Sequence, residues 1–127
     1  MEPDADLPTV IRRAPGGALP DDDHAALPAG TRLGEFEILS VIGRGGFGIV
    51  YLAHDSALDR RVAIKEYMPD ALAARGADGQ VSVRSQRHGD TFSAGLRSFV
   101  NEAQLLGRFD HPALLKVYRF LQANGTA

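Results

Sequence analysis

Six residues in the middle of the chain form a glycine-rich motif that is suited to binding phosphate. Gly43-Arg44-Gly45-Gly46-Phe47-Gly48 has glycine at its first, third and last positions. Backbone N–H groups can approach a phosphate closely where no side chain intervenes. The motif alone is also compatible with a dinucleotide-binding unit, or with a tight turn that has no ligand. The flanking residues must therefore decide between these functions.

The residues that follow the motif are typical of a strand. Ile49, Val50 and Tyr51 are β-branched or aromatic, whereas the last glycine of a dinucleotide-binding motif opens a helix. No Gly-Lys-Ser or Gly-Lys-Thr sequence follows, which excludes a P-loop. We therefore expect the motif to join two antiparallel strands and to cover phosphates with its backbone.

A lysine lies downstream of the motif in a predicted strand. In Val62-Ala63-Ile64-Lys65, strand alternation places Ala63 and Lys65 on one face and the two larger apolar residues on the other. A small side chain leaves room for a flat base, and an ammonium group beside it can reach the phosphates. The alternative is a solvated lysine at a sheet edge.

A glutamate lies at the margin of the apolar stripe of a predicted helix. The helix extends from about residue 91 to residue 108, and its stripe repeats at spacings of three and four residues: Leu96, Phe99, Val100, Ala103 and Leu106. Glu102 lies beside this stripe and has no cationic residue three or four positions away. Lys65 is the candidate partner from another element, and simple exposure to solvent is the alternative.

The elements that must position these residues predict an α+β fold. Residues rich in strand formers predict an antiparallel sheet with strands near 35–43, 48–54, 60–67 and 114–121, combined with the one main helix. Residues 70–75 predict a short helix, and residues 80–84 a short strand. Asn124-Gly125 is typical of a hairpin turn.

Composition divides the chain into a tail and one folding unit. Residues 1–30 are acidic and rich in proline, which predicts a disordered tail that folding does not need, and residues 31–127 form the domain. The net charge is −2, and the basic residues are not concentrated into a face that could bind nucleic acid. The acidic start does not resemble a signal peptide, and no apolar run is long enough to span a membrane. We expect a cytoplasmic protein.

Metal and thiolate chemistry are not predicted. The chain has no cysteine, and its four histidines are dispersed without the spacing of metal ligands. No residue is therefore assigned to a metal.

Taken together, the motifs resemble the N-terminal lobe of the protein kinase family, in order and in context. The resemblance covers roughly residues 33–127. Within the family, the sequence is similar to the eukaryotic-like bacterial Ser/Thr branch. It is carried by four sequences: Gly43 to Val50, Val62 to Lys65, Glu102 in Asn-Glu-Ala-Gln-Leu-Leu, and His111-Pro112-Ala113-Leu114-Leu115.

The resemblance implies roles for individual residues. Lys65 would hold the α- and β-phosphates of ATP, and Glu102 would orient Lys65. The loop residues would cover the phosphates: Gly43, Arg44, Gly45, Gly46, Phe47 and Gly48. Ile42, Val50 and Ala63 would roof the adenine. The complete kinase would transfer the γ-phosphate of Mg-ATP to Ser or Thr of a protein substrate.

The sequence also departs from the family pattern. No His-Arg-Asp, Asp-Phe-Gly or Ala-Pro-Glu sequence occurs in the 127 residues, so the catalytic base and the Mg²⁺ ligands are absent from them. We expect this chain alone to be inactive, and a non-catalytic kinase-like regulatory module is the alternative function. Residues 68–92 carry an insertion of unassigned purpose. Since the family's fifth strand lies beyond this chain, we expect an open sheet edge able to self-associate.

Overall fold

The computed structural model describes residues 25–108 and 116–127. The chain divides after Asp70 into two units. The first unit carries the glycine motif and Lys65, and the second carries Glu102.

The first unit is a four-stranded antiparallel sheet. Its strands are β1 (Arg32–Leu33), β2 (Phe36–Arg44), β3 (Gly48–Asp55) and β4 (Arg60–Tyr67), in the spatial order β1-β2-β3-β4. The three long strands confirm the predictions near 35–43, 48–54 and 60–67. Among the described strands, β4 lies at an edge of the sheet, and self-association through this edge stays a prediction.

Alternation along β3 separates a buried face from an open one. Ile49, Tyr51 and Ala53 are almost completely buried, whereas Val50 and Leu52 are half-buried. Ile38 of β2 and Met68 complete the core of this unit. The strand therefore has the period of two that its sequence predicts.

The predicted boundary at residue 30 is wrong for residues 25–30. Ala26 and Leu27 are buried, Gly30 N donates to the carbonyl of Ile38 at 2.7 Å, and Ile38 N donates to the carbonyl of Thr31 at 2.8 Å. Apolar side chains that pack on the sheet override the composition of the surrounding sequence. Residues 1–24 lie outside the described residues, and the predicted tail there stays a prediction.

A buried tyrosine joins this N-terminal segment to the sheet. The Tyr51 hydroxyl accepts a hydrogen bond from Leu27 N at 3.0 Å and donates one to Glu66 Oε1 at 2.6 Å. The Glu66 carboxylate is buried within the core face of β4. Because a buried carboxylate is costly without partners, this hydroxyl stabilises both the segment and the strand.

The turn between β3 and β4 is organised by a buried aspartate. Asp55 accepts hydrogen bonds from Ala57 N at 3.0 Å and Leu58 N at 3.3 Å, and its other oxygen accepts from Arg60 Nε at 3.3 Å. Asp59 has a positive φ of 49°. Both features are typical of aspartate in tight turns, which tolerates this backbone conformation and bonds to nearby N–H groups.

The second unit begins with a hairpin where a helix is predicted. Strand β5 (Ala73–Arg75) pairs with β6 (Val81–Val83), which confirms the short strand near 80–84 and shows that the short helix at 70–75 is wrong. Gly76 N donates to the carbonyl of Gln80 at 2.8 Å, and Gly79 has a φ of 84°. This turn brings β6 alongside, and pairing outweighs the helix propensity of Ala73-Ala74-Arg75.

One main helix follows the hairpin. A short 3-10 helix (Gln86–His88) leads into α1 (Gly89–Gly107), which confirms the helix predicted at about 91–108. The five residues of the predicted apolar stripe are half-buried, and the side chains around them are mostly exposed. No helix within the described ranges 25–108 and 116–127 is long and apolar enough to cross a membrane.

The strand predicted at 114–121 is not formed by its described part. Residues 114 and 115 lie outside the described residues, and residues 116–121 belong to no strand. A strand needs a neighbour to satisfy its backbone, and no described strand pairs with this segment. The fourth strand of the observed sheet is instead β1, which lies at the edge opposite to β4. The predicted turn at Asn124-Gly125 is confirmed, since both residues have positive φ, 58° and 78°, as a type I′ turn requires.

We expect Tyr51→Phe to lower the free energy of unfolding by about 1–3 kcal/mol, because it leaves Leu27 N and the Glu66 carboxylate buried with one partner fewer. Urea denaturation measures the change. Tyr118→Phe is the matched control, since Tyr118 is 62% exposed and loses a hydroxyl that water can replace. Equal stability of the two variants would show that the buried bridge contributes nothing.

Candidate functional site

The glycine motif forms the tip of the hairpin between β2 and β3. Gly43 and Arg44 end β2, Gly48 begins β3, and Gly45 N donates to the carbonyl of Gly48 at 2.9 Å. Phe47 is 78% exposed at this tip. The motif therefore joins two antiparallel strands, as the residues after it predict, and opens no helix.

Gly48 is required by the packing of the sheet. A Cβ atom at this position would overlap the carbonyl oxygen of Glu66 in β4. Beside it, Met68 N donates to the carbonyl of Phe47 at 2.9 Å. The base of the loop is thus held against the end of β4, and only glycine allows the two backbones to approach this closely.

Gly45 and Gly46 have no such role within the structure. A Cβ atom at either position would meet nothing within 4 Å, and neither residue has a positive φ. Neither packing nor backbone conformation therefore requires glycine there. What the two residues provide is open space beside their Cα atoms, where a ligand can approach the loop backbone.

The open face of the sheet carries Lys65 in register with the loop. Strand pairing sets Gly43 opposite Val50, and Val50 opposite Lys65, so the three form one row across β2, β3 and β4. Neighbouring strands are about 4.8 Å apart, so the row is about 10 Å long. Lys65 is exposed at its end.

A small apolar patch adjoins this row. Ala63 lies opposite Leu52 on the same open face and is half-buried. Ile42, also half-buried, lies at a register irregularity between Val41 and Gly43. Ile42 is thus at the start of the glycine motif, while Ala63 is two residues from Lys65. This arrangement combines apolar side chains with one cation.

Glu102 lies on α1 in the second unit and is exposed. Lys65 belongs to the first unit. Each unit is described by itself, so the pairing of Glu102 with Lys65 stays a prediction. No cluster of three or more metal-ligating side chains occurs within the part of the chain that the structure describes.

Glu66 and Tyr51 are residues of this region that the motifs do not reveal. Glu66 follows Lys65 and pairs with Ile49 on the buried face, so strand alternation alone places its carboxylate in the core. A buried carboxylate in a strand indicates a nearby donor, here the Tyr51 hydroxyl. Tyr67, opposite Gly48, is also buried, and this burial raises the pKa of its phenol.

Comparison with known proteins finds similar sequences that are named serine/threonine-protein kinases. The chain is 34% identical over 83 residues to the serine/threonine-protein kinase PknD of Chlamydia trachomatis, which covers 65% of this chain and 7% of PknD. It is 36% identical over 89 residues to the serine/threonine-protein kinase PrkC of Bacillus subtilis, 67% of this chain and 10% of PrkC. No protein-family model matches.

A solved structure is also similar. The apo form of PpkA-294 has 57% sequence identity and a TM-score of 0.78, over 80% of this chain and 36% of that chain. The chain therefore spans about a tenth or less of the curated relatives and about a third of the solved one.

Two glycines of the loop, Gly48 and Gly46, should differ sharply on substitution. We expect Gly48→Ala to destabilise the protein by about 1–3 kcal/mol, because the new methyl group meets backbone that cannot move aside cheaply. Gly46→Ala should change the free energy of unfolding by less than about 0.5 kcal/mol, since its methyl group enters open space. Thermal and urea unfolding of both variants compares them, and similar losses would contradict the distinction.

Proposed function

Because the chain belongs to the eukaryotic-like bacterial Ser/Thr protein kinases, as their N-terminal lobe, we propose that its open sheet face binds ATP. The row of Gly43, Val50 and Lys65 is the observation that carries this proposal. It places an exposed ammonium group in register with the base of a loop whose exposed glycines, Gly45 and Gly46, leave space for a ligand. In nucleotide sites of this kind, a glycine-rich loop covers the phosphates and a lysine on a neighbouring strand contacts them.

Each part of the row has its own task in the proposed complex. The Lys65 ammonium offsets the negative charge of the α- and β-phosphates. Its hydrogen bonds to them are charge-assisted, and such bonds are stronger than neutral hydrogen bonds. The absence of side chains at Gly45 and Gly46 lets the remaining phosphate oxygens approach the loop. Phe47, exposed at the tip, covers the phosphates from solvent, and Arg44 adds positive charge at the end of β2.

The adenine is proposed to lie on the apolar patch. The patch consists of three half-buried residues, Ile42, Val50 and Ala63. A flat base that covers them removes apolar surface from water, which is favourable. The small side chain of Ala63 limits the height of this surface. Base and phosphates are then bound by adjacent parts of one face, and their separation follows from the strand spacing.

Catalysis in the complete kinase needs groups beyond this face. Mg²⁺ bound with ATP would neutralise charge on the β- and γ-phosphates, and the described residues supply no cluster that could hold it. We assign to Glu102 the orientation of Lys65, and to the complete protein the transfer of phosphate to Ser or Thr of a protein substrate. No described feature favours the alternative of a non-catalytic module.

Lys65→Met should weaken ATP binding by this chain by at least about tenfold, because it removes a charge-assisted contact worth roughly 1.5–3 kcal/mol. Amide chemical-shift titration with ATP measures the affinity, and the shifts should concentrate at the loop, Val50 and Ala63. Lys116→Met is the matched control, since Lys65 and Lys116 are the two lysines of the sequence. Equal affinities in the two variants would refute the assignment of Lys65.

We also expect that this chain alone transfers no phosphate to protein. The catalytic base and metal ligands of the family do not occur in its sequence, and each 1.4 kcal/mol of lost transition-state stabilisation costs about a factor of ten in rate. Incubation with radiolabelled ATP, Mg²⁺ and a general Ser/Thr substrate protein measures transfer. Label incorporated above the level of the Lys65→Met variant would overturn this expectation.

A further inference from the structure

The hairpin of the insertion binds a segment far along the chain. Val81 N, at the start of β6, donates to the carbonyl of Asn124 at 2.8 Å. Gln80 Nε2 donates to Asn124 Oδ1 at 3.5 Å, a contact between residues 44 positions apart. The turn at residues 123–126 therefore lies directly against the hairpin.

The turn is shaped for this contact. Ala123 and Thr126 exchange two backbone hydrogen bonds, at 3.1 Å and 3.0 Å, and Thr126 is buried. A Cβ atom at Gly125 would lie 2.7 Å from the carbonyl oxygen of Val81, closer than packing allows. Gly125 is therefore needed twice, for its φ of 78° and for its close approach to β6.

The hairpin offers a rigid surface to the turn. The Arg75 guanidinium donates through Nη1 to the carbonyl of Gly79 at 2.7 Å and so ties the last residue of β5 to the turn at the tip of the hairpin. Arg84 N donates to the carbonyl of Leu72 at 2.8 Å, which closes the open end. Ala73 and Val81 are both buried. Hydrogen bonds at both ends therefore hold the hairpin together without any contribution from the turn at residues 123–126.

Helix α1 lies in the chain between these two partners. It begins at Gly89, shortly after β6 ends at Val83, and ends at Gly107, before the turn. Phe92 is the buried residue of the helix. The apolar stripe of the helix is half-buried, and at its start only the 3-10 helix and two residues separate the helix from β6.

We propose that the insertion hairpin, residues 73–83, and the turn, residues 123–126, form a clasp that fixes helix α1 within the second unit. Gly125 is the residue that permits the clasp to close. The insertion thereby acquires a purpose, which is to bring the chain beyond the helix back to the chain before it. Closing a loop of this length costs entropy that grows only slowly with length, so a few contacts suffice.

The clasp has a consequence for the site. Helix α1 carries Glu102, and the proposed function assigns to Glu102 the orientation of Lys65. On that function, whatever opens the clasp loosens the glutamate. The clasp itself rests on contacts within the second unit and does not depend on ATP binding.

Two matched asparagine substitutions test the clasp. Gly125→Asn and Gly79→Asn both place a residue that tolerates positive φ where glycine has φ of 78° and 84°. Only at position 125 does the new Cβ atom meet backbone, since at position 79 the nearest atom is Asn124 Oδ1 at 4.0 Å. Hydrogen exchange of backbone amides, measured without nucleotide, reads out the helix and the sheet separately.

In Gly125→Asn we expect the amides of α1 to exchange at least about tenfold faster, as loss of about 1.4 kcal/mol of local protection implies. Amides of β2, β3 and β4 should exchange as in the parent chain, and Gly79→Asn should match the parent throughout. A role in general stability alone would instead accelerate sheet and helix together. Unchanged α1 exchange in Gly125→Asn, or equal acceleration in Gly79→Asn, overturns the clasp.

A milder variant covers the case in which Gly125→Asn unfolds the chain. Gln80→Ala removes an exposed side chain and its contact with Asn124, and leaves all backbone contacts in place. We expect a smaller acceleration, about two- to fivefold, that is again confined to α1 and the turn. Exchange identical to the parent in this variant, after unfolding of the first, counts against the clasp. Because no nucleotide is present, neither result depends on the proposed ATP site.

Discussion

The pairing of β3 with β4 is the constraint on which the rest of the first unit depends. The ladder is regular from Gly48 opposite Tyr67 to Asp55 opposite Arg60. A slip of one residue would exchange the two faces, so that Lys65 would enter the core and the Glu66 carboxylate would leave it. Burial of Tyr51 and Ala53 on one side therefore decides that the ammonium group is presented on the other.

The Tyr51 hydroxyl reinforces this register from within. It bonds to Glu66 in β4 and to Leu27 in the segment that precedes β1, so a single buried oxygen joins three parts of the chain. The carboxylate it satisfies belongs to the residue next to Lys65. At the end of the same strand, the Glu66 carbonyl approaches Gly48 so closely that the loop base has no room for a side chain. The core, the segment that precedes β1 and the glycine loop are thus parts of one packing arrangement.

Patterns of local origin were readable from the amino-acid sequence. Strand alternation identified the three long strands and the shared face of Ala63 and Lys65, because a period of two depends on neighbours in the chain alone. The apolar stripe identified α1 to within two residues of each end, since helical spacing is equally local. Asn124-Gly125 identified its turn through the backbone conformations that these two residue types tolerate.

Tertiary structure decided what depends on a partner distant in sequence. Ala73–Arg75 became a strand because Val81–Val83 lies beside it, although its residue types favour a helix. Residues 116–121 have strand-forming sequence but no described neighbour, and they form no strand. Ala26 and Leu27 are buried because the sheet offers them a surface. In each case the free energy comes from burial or from hydrogen bonds between separate segments, which no local pattern of residues records.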